Sequence, residues 1–332
     1  MNEIRRCPSS LQEGFDGYSP RAAKLLFGGA KVSPVLGFDI DEFRSVGEMA
    51  DAMRRISVSG VQEKFPAVID EGKIRIARAG ERSTHILKPA PWDRTLRDRW
   101  QIPGNEHVTM QIASQAYGIP TAPNGLCFTP KGRPVYITRR FDLMPDGSKC
   151  LMEDFASLVG KNEQTDGEHY KYSGCYEDIA DAVRKYVAAW MVDMESFYDR
   201  VVFNYIYANG DAHLKNFSLM ASGRDYRLTP AYDLLNTGLH VVGDDFALEG
   251  GLSYGLVPGD VYERTGHPCR ADFENFGIRI GLVRTRMMRM LDRYMEMSET
   301  AVRLIENSFL TEKMKRCYLR IVRERISRFV RR

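Results

Sequence analysis

Apolar residues recur at two different spacings along this chain, and the spacing changes near residue 150. Up to that point the repeat is close to two, the mark of strands. Phe65 to Ile69 and Ile74 to Ile76 flank the turn Asp70-Glu71-Gly72-Lys73, which predicts a β-hairpin. Ser83 to Pro89, Gly125 to Phe128, Val135 to Phe141 and Cys150 to Phe155 read as further strands, with turns at Pro130–Pro134 and Met144–Gly147. One helix interrupts them. It opens at Gly104-Asn105-Glu106, carries Val108, Ile112, Ala113 and Ala116 on its apolar side, and stops at Gly118-Ile119-Pro120.

Beyond Phe155 the repeat lengthens to that of helices. Ile179, Val183, Tyr186, Val187 and Trp190 mark one helix. Phe197, Val201 and Tyr205, with Val202 and Ile206 beside them, mark a buried one. It should end at Asn209-Gly210, a pair that permits a left-handed turn. Val283 to Arg328 is nearly all helical, with Met287, Met288, Leu291 and Met295 on a core-facing side. Lys161 to Gly174 is polar and glycine-bearing and reads as an exposed loop. In the first fifty residues only Leu25-Leu26-Phe27, stopped by Gly28-Gly29, suggests a helix. The expected class is α+β: a bilobal chain with a β-rich lobe over residues 1–152, a helical lobe over 153–332 and a cleft between them.

Composition narrows this little. The 332 residues are 43% hydrophobic and 27% charged, as in an ordinary globular protein. No apolar run approaches the ~18 residues that span a membrane, and Met1 to Arg6 lack the apolar segment of a signal peptide. The expectation is a cytoplasmic protein without a membrane element. Cys7, Cys127, Cys150, Cys175, Cys269 and Cys317 are scattered, with no C-x-x-C, and read as reduced thiols. A net charge of +3 does not by itself imply nucleic acid. Lysines and arginines are nevertheless dense from Lys313 to Arg332, either as a solvated helix face or as a docking surface for acidic partners.

Candidate chemistry centres on Asn209-Gly210-Asp211-Ala212-His213-Leu214-Lys215-Asn216, with Asp233 seventeen residues after Asn216. Phosphoryl transfer to a hydroxyl needs a carboxylate near the acceptor, an Asn five residues on to hold magnesium, and a later Asp for the metal that bridges the phosphates. Asp211, Asn216 and Asp233 supply them in that order. The alternative is a capped helix end, a surface Asn and an unrelated Asp in a turn. Earlier parts follow kinase order too. Ser57, Ser59 and Gly60 lie in a small-residue loop whose backbone N–H groups could approach anionic oxygens, although an ordinary turn reads the same. Lys88, at a strand end, is either a surface lysine or the one that neutralises nucleotide phosphates. Glu106, expected in a first helical turn, is either favoured there by the helix dipole or the partner of Lys88. No G-x-x-x-x-G-K-[ST] occurs, which disfavours a P-loop nucleotidase.

These residues together resemble the HipA-type serine/threonine kinases of bacterial toxin–antitoxin systems. The likeness is carried by Ser57–Lys64, Thr84–Lys88, Asn105-Glu106, Arg140–Asp142, Glu153–Phe155, Asp211–Asn216 and Leu228–Asp233. It implies a protein-kinase-like fold of the lipid-kinase branch, using ATP and Mg2+. By resemblance, Asp211 is the catalytic base and His213 shapes its loop. Lys88, Ser59 and Gly60 meet the phosphates, Glu153 and Phe155 offer hinge backbone groups to adenine, and Tyr232 lines the pocket. Asn216 and Asp233 become magnesium ligands. Ser57 and Ser59 match the autophosphorylated loop, where a phosphate adds roughly −1.5 to −2 charge and would act as an off-switch. The implied substrate is an aminoacyl-tRNA synthetase, whose phosphorylation stops translation.

The implied partners are a helix-turn-helix, HipB-like antitoxin, with DNA reached only through it, and a small HipS-like protein. The latter stands in for an N-terminal subdomain for which this chain has no room, as in the short, HipT-type members of three-gene HipBST systems. Some short relatives open with a Cys/His-rich knuckle; here Cys7 stands with Ser10, Tyr18-Ser19 and Ala22-Ala23, so no zinc is expected. Two other classes remain: an inactive or self-silenced kinase fold serving as a binding partner of the DNA-bound antitoxin, and a small-molecule or lipid kinase. The intact Asp211, Asn216 and Asp233 argue against the first, and the lack of a membrane element against a lipid substrate.

Overall fold

A computed structural model describes residues 4–40, 63–144 and 146–331. Helix α1 (Pro20–Phe27) is bounded by local chemistry. The Ser19 side chain accepts the N–H of Ala22, Pro20 takes the first turn where no N–H is needed, and Gly28 closes the helix at φ 68°. Strands β1 (Phe65–Asp70) and β2 (Lys73–Ile76) form the expected hairpin. Glu71 and Gly72 both take positive φ, the turn that matches strand twist. A Cβ on Gly72 would meet the Lys31 carbonyl oxygen at 2.7 Å, so only glycine fits.

With β3 (His85–Lys88), β4 (Asn124–Phe128) and β5 (Pro134–Arg139), these strands make an antiparallel sheet in the order β2-β1-β3-β5-β4. Alternation decides what each face meets. Leu87, Cys127, Val135 and Ile137 pack with Leu26 and Phe27 of α1. Leu126, Phe128 and Tyr136 join the core on the other face, with helix α2 (Ile102–Tyr117). Because Leu87 points to the α1 side, Lys88 must point to the α2 side, opposite Tyr136 in register.

Helix α2 departs from expectation in two ways. It starts at Ile102, with Pro103 in its first turn, so Glu106 lies beyond that turn and the dipole argument does not apply to it. Nor is the helix one-sided: every residue from Ile102 to Ala113 is buried, because sheet and C-terminal helices close on it from opposite sides. Gly118 ends it at φ 70°.

Strand β6 (Met152–Asp154) joins a second sheet, of order β6-β7-β8, with β7 (Ser218–Ser222) and β8 (Asp225–Leu228). This hairpin falls where helices were expected to dominate. The remaining elements are helices, joined by loops: α3 (Phe155–Leu158), α4 (Glu163–Asp166), α5 (Tyr176–Tyr186), α6 (Trp190–Ile206), α7 (Asp260–Thr265), α8 (Arg270–Arg279), α9 (Arg284–Asp292), α10 (Glu299–Glu306) and α11 (Glu312–Phe329). The single helix expected through Ile179 and Trp190 is two. Val187 is extended, and Asp225 Oδ1 captures the N–H of Ala188 at 3.1 Å. The end of α6 also differs, since its left-handed residue is Ala208 (φ 52°) and Gly210 is not left-handed.

Helix α6 is the axis of the main core. Phe197, Val201, Val202, Phe203, Tyr205 and Ile206 are all essentially inaccessible. Tyr117, Phe203, Tyr207 and Tyr294 stack around one end, and Tyr176, Phe217 and Phe246 pack together nearby. The architecture is α+β, β-rich towards the N-terminus and helical towards the C-terminus. Among the described residues no helix is long and apolar enough to cross a membrane.

Candidate active site

Lys88 is 4% exposed and Glu106 2%, and their charged ends meet at 2.6 Å. Lys88 Nζ also reaches Asp233 Oδ1, and Lys64 Nζ lies 3.6 Å from Asp233 Oδ2. Four elements converge here: β3, α2, the loop after β8, and the segment leading into β1. Burial opposes the ammonium of Lys88, but Asp233 and Glu106 together hold its pKa above the ordinary lysine value. Burial likewise works against Asp233, yet Lys88 and then Lys64 hold its carboxyl well below the usual range. Glu106 goes the other way: burial raises it more than Lys88 lowers it. Asp233 itself sits at φ 55°, an uncommon backbone state for a non-glycine residue and one that recurs at functional sites.

Neighbouring bonds impose that backbone. Ala231 N–H donates to the Pro120 carbonyl and its own carbonyl accepts from Ala122 N–H, both near 2.8–2.9 Å. On the other side, the Asn105 amide donates to the Asn236 carbonyl (2.8 Å) and accepts the Asn236 N–H (3.2 Å). Asn105 is fully buried next to Glu106, so α2 fixes both the lysine's partner and the path of the chain after Asp233.

The loop from Asn209 to Asn216 is held as tightly. Gly210 N–H donates to Thr237 Oγ1 at 2.9 Å, and a Cβ there would lie 3.1 Å from the Asp244 carbonyl oxygen. Tyr176 Oη donates to the Ala212 carbonyl at 3.0 Å. Asn216 Nδ2 donates to the Asp211 carbonyl at 2.9 Å, which fixes the amide's orientation. His213 is buried, and desolvation pushes its pKa down to about 4, so it is a neutral packing group near pH 7. Its ring meets Tyr172 edge-on at 5.2 Å.

The Asn216 Oδ1 and the Asp233 carboxylate are hard oxygen donors of the kind magnesium takes, usually one or two from protein with phosphates and water completing the shell. Among the described residues no three His, Cys, Asp or Glu side chains form a closed metal cage. Asn216 and Asp233 are the residues here that could hold such a metal.

The hinge differs from the sequence reading. Phe155 N–H donates to the Phe217 carbonyl at 3.1 Å, and Ala221 N–H to that of Leu151 at 2.9 Å. Antiparallel alternation then makes Glu153 the residue that exchanges bonds with Leu219, directly opposite it. The backbone groups assigned to adenine at Glu153 and Phe155 are thus taken by β7. Those facing the open edge belong to Met152 and to the N–H of Asp154. The Glu153 carboxylate accepts from Ser157 Oγ, and the Phe155 ring is fully buried. Tyr232 is half-buried beside Phe141 at 5.8 Å, with its hydroxyl bonded to Ser218 Oγ (2.6 Å) and the Lys215 carbonyl (3.0 Å). Ser57, Ser59 and Gly60 lie outside the described residues.

Residues missed from sequence come from the stretch expected to be an exposed loop. It holds α4 and a tight turn at Tyr170–Tyr172. Tyr172 Oη donates to Asp211 Oδ1 at 2.8 Å, and Lys215 Nζ donates to Tyr170 Oη at 3.2 Å. The only signal was two tyrosines around Lys171 in an otherwise polar segment.

The family described as HipA-like C-terminal domain matches residues 56–302. The curated proteins similar to this chain include "Putative kinase Y4mE" of Sinorhizobium fredii, 28% identical over 76% of this chain and 58% of its own length. A Haemophilus influenzae protein named "Putative kinase" is 23% identical over 96% of this chain and 94% of its own. The chain thus spans little more than half of the first relative and nearly all of the second. Among solved structures, HipA of the Shewanella oneidensis MR-1 toxin–antitoxin system, solved with HipB and operator DNA, superposes with a TM-score of 0.63. It shares 18% identity over 82% of this chain and 65% of that one. At that identity the likeness is one of fold.

Proposed function

The chain belongs to the family of HipA-like C-terminal domains, and on that premise we propose that it is a magnesium-dependent serine/threonine protein kinase acting as the toxin of a toxin–antitoxin pair. The observation that carries the reading is Lys88, buried between Glu106 and Asp233, beside a loop that ties Asn216 to the backbone of Asp211. A phosphoryl-transfer site needs fixed charge and fixed geometry more than covalent chemistry. Lys88 and Lys64 meet the phosphate oxygens. Asp211 accepts the proton of the attacking hydroxyl, and His213, neutral and packed, keeps the loop in shape. Asn216 and Asp233 hold Mg2+, which supplies charge neutralisation across the phosphates when bound. The adenine edge meets the outward backbone groups at Met152 and Asp154, beneath Tyr232.

The finer assignments follow the family. The acceptor is a serine of an aminoacyl-tRNA synthetase, and its modification lowers charging and stops translation. Ser57 and Ser59 are autophosphorylation sites that turn the enzyme off. A HipB-like antitoxin and a small HipS-like protein bind the chain, and DNA is met only through the antitoxin. The HipB-bound relative of the same fold supports the antitoxin partner.

The test is incubation of the purified chain with γ-labelled ATP and Mg2+ in a cell extract. The reading predicts label in protein, ADP release, and neither with Asp211→Asn. Label confined to metabolites would make it a small-molecule kinase. Absence of both label and ADP would leave a kinase fold that binds without transferring.

A further inference from the structure

The hydroxyl that meets Asp211 in this structure belongs to the chain itself. Tyr172 Oη lies 2.8 Å from Asp211 Oδ1, within the reach required of a base and the proton it takes. The ring is held in place on several sides. His213 supports it edge-on, and Lys171 Nζ stands 4.9 Å from its centroid. Its backbone is anchored to the loop beyond Asp233: Glu249 N–H donates to the Tyr172 carbonyl (3.0 Å) and Gly250 N–H to that of Gly174 (2.9 Å). Tyr172 is thus fixed with its hydroxyl on the Asp211 carboxylate.

The surroundings suit a phosphate. Lys215 sits on the neighbouring Tyr170 hydroxyl, and Lys64 stands over Asp233. Lys171 is close enough to Lys215 and Lys64 that, after its own desolvation and against the pull of Asp211, their charges help lower its pKa. Lys171 beside the ring and Lys215 on the adjacent tyrosine place positive charge in the same segment, as basic groups favour phosphorylated side chains.

We propose that Tyr172 occupies the acceptor position of the active site and is itself phosphorylated in cis. The proposal rests on the kinase reading above. In the step, Tyr172 Oη bonds to the γ-phosphorus of ATP as the bond from that phosphorus to the β,γ-bridging oxygen breaks. ADP leaves, and the phenolic proton passes to the Asp211 carboxylate. An external hydroxyl then has to displace Tyr172, or follow its departure, before reaching the base.

The experiment uses the full chain, treated with phosphatase, repurified and incubated with Mg-ATP over a hundredfold range of chain concentration. ADP release and phosphopeptides are followed together. The expected result is phosphate on Tyr172 at a rate independent of chain concentration. Asp211→Asn abolishes it, and in Tyr172→Phe, with a parent-like circular dichroism spectrum, the chain carries one phosphate fewer. Phosphate on other residues with Tyr172 unmodified overturns the proposal while leaving the kinase reading intact. A Tyr172 rate that climbs with chain concentration overturns the cis assignment. Neither ADP nor phosphate overturns both this and the kinase reading.

Discussion

Two ion clusters in this molecule are made from similar groups but assembled differently. At the candidate site, Lys88 bridges Glu106 and Asp233, three residues on three separate elements. At the end of α11, Asp245 is shared by Arg325 and Arg328, one helical turn apart, and by His267 Nδ1 at 2.7 Å. Arg325 also covers the Tyr205 ring at 5.3 Å. Guanidinium groups hold a carboxylate in a fixed fork, whereas an ammonium is a point charge that can exchange partners. The Asp245 cluster ties a loop to a helix. The Lys88 cluster sets a buried ammonium between two carboxylates, with Lys64 as a second cation on Asp233. Lys88 therefore keeps a charged partner in Glu106 if Asp233 is drawn away, as the proposed function requires. The basic C-terminal segment is therefore partly an internal tie, with Lys313 paired to Asp98 and Lys315 to Glu312.

Substitutions should separate the two. The largest effect is expected at Asp211→Asn, which should lower transfer by about 10²–10⁴-fold, the usual worth of a positioned base, with little change in thermal midpoint. Parent-like transfer by this variant would remove Asp211 from the chemistry. Lys88→Met should act on both activity and stability. It leaves the buried Glu106 carboxylate without its cation, while the half-buried Asp233 keeps Lys64, at a cost of roughly 3–5 kcal/mol in urea unfolding. Adding Glu106→Gln should recover part of the stability and none of the transfer; recovery of transfer would refute the phosphate role of Lys88.

Acid should reach the fold through histidines before it reaches Asp233. Burial lowers His107 and His213 to about 4 in the folded chain. Between about pH 6.5 and 4 the unfolded chain therefore binds protons that the folded one does not, and stability falls as pH falls. Each contributes on the order of 3 kcal/mol, fully present above pH 6.5. Asp233, depressed by its lysines against burial, stays ionised through that window. Urea midpoints against pH should show the slope, and His213→Asn should flatten it; an unchanged slope would assign the loss elsewhere. The smallest effect belongs to Asp245→Asn, about 2 kcal/mol from weakened charged hydrogen bonds, with phosphoryl transfer at the parent level. A matching loss of transfer would mean that the two clusters are coupled.

The same contrast shows what could be read from the chain. In His85-Ile86-Leu87-Lys88, strand alternation around an apolar Leu87 already sends Lys88 to the opposite face, and Glu106 lay on the next element. The spacing of Asp211, Asn216 and Asp233 likewise needed only covalent order. The hinge was not legible, because strand register decides it. A one-residue change in pairing exchanges the bonded and open backbone groups, and nothing in Met152 to Phe155 states that Glu153 faces Leu219. The β7–β8 hairpin is short, with strands of five and four residues, too brief for its period to stand out in a mainly helical half. Tyr172 was hidden for a different reason. Its contact with Asp211 spans thirty-nine residues and depends on a loop that no periodicity describes.

The most direct test of phosphoryl transfer by Asp211 and Asp233 is intact mass. The parent, Asp211→Asn and Asp233→Asn chains are compared before and after incubation with Mg-ATP, with phosphatase-treated protein as the start. The account predicts a gain of phosphate in the parent and none in either variant. A parent that starts unmodified and gains nothing, or variants that gain as much as the parent, would contradict it.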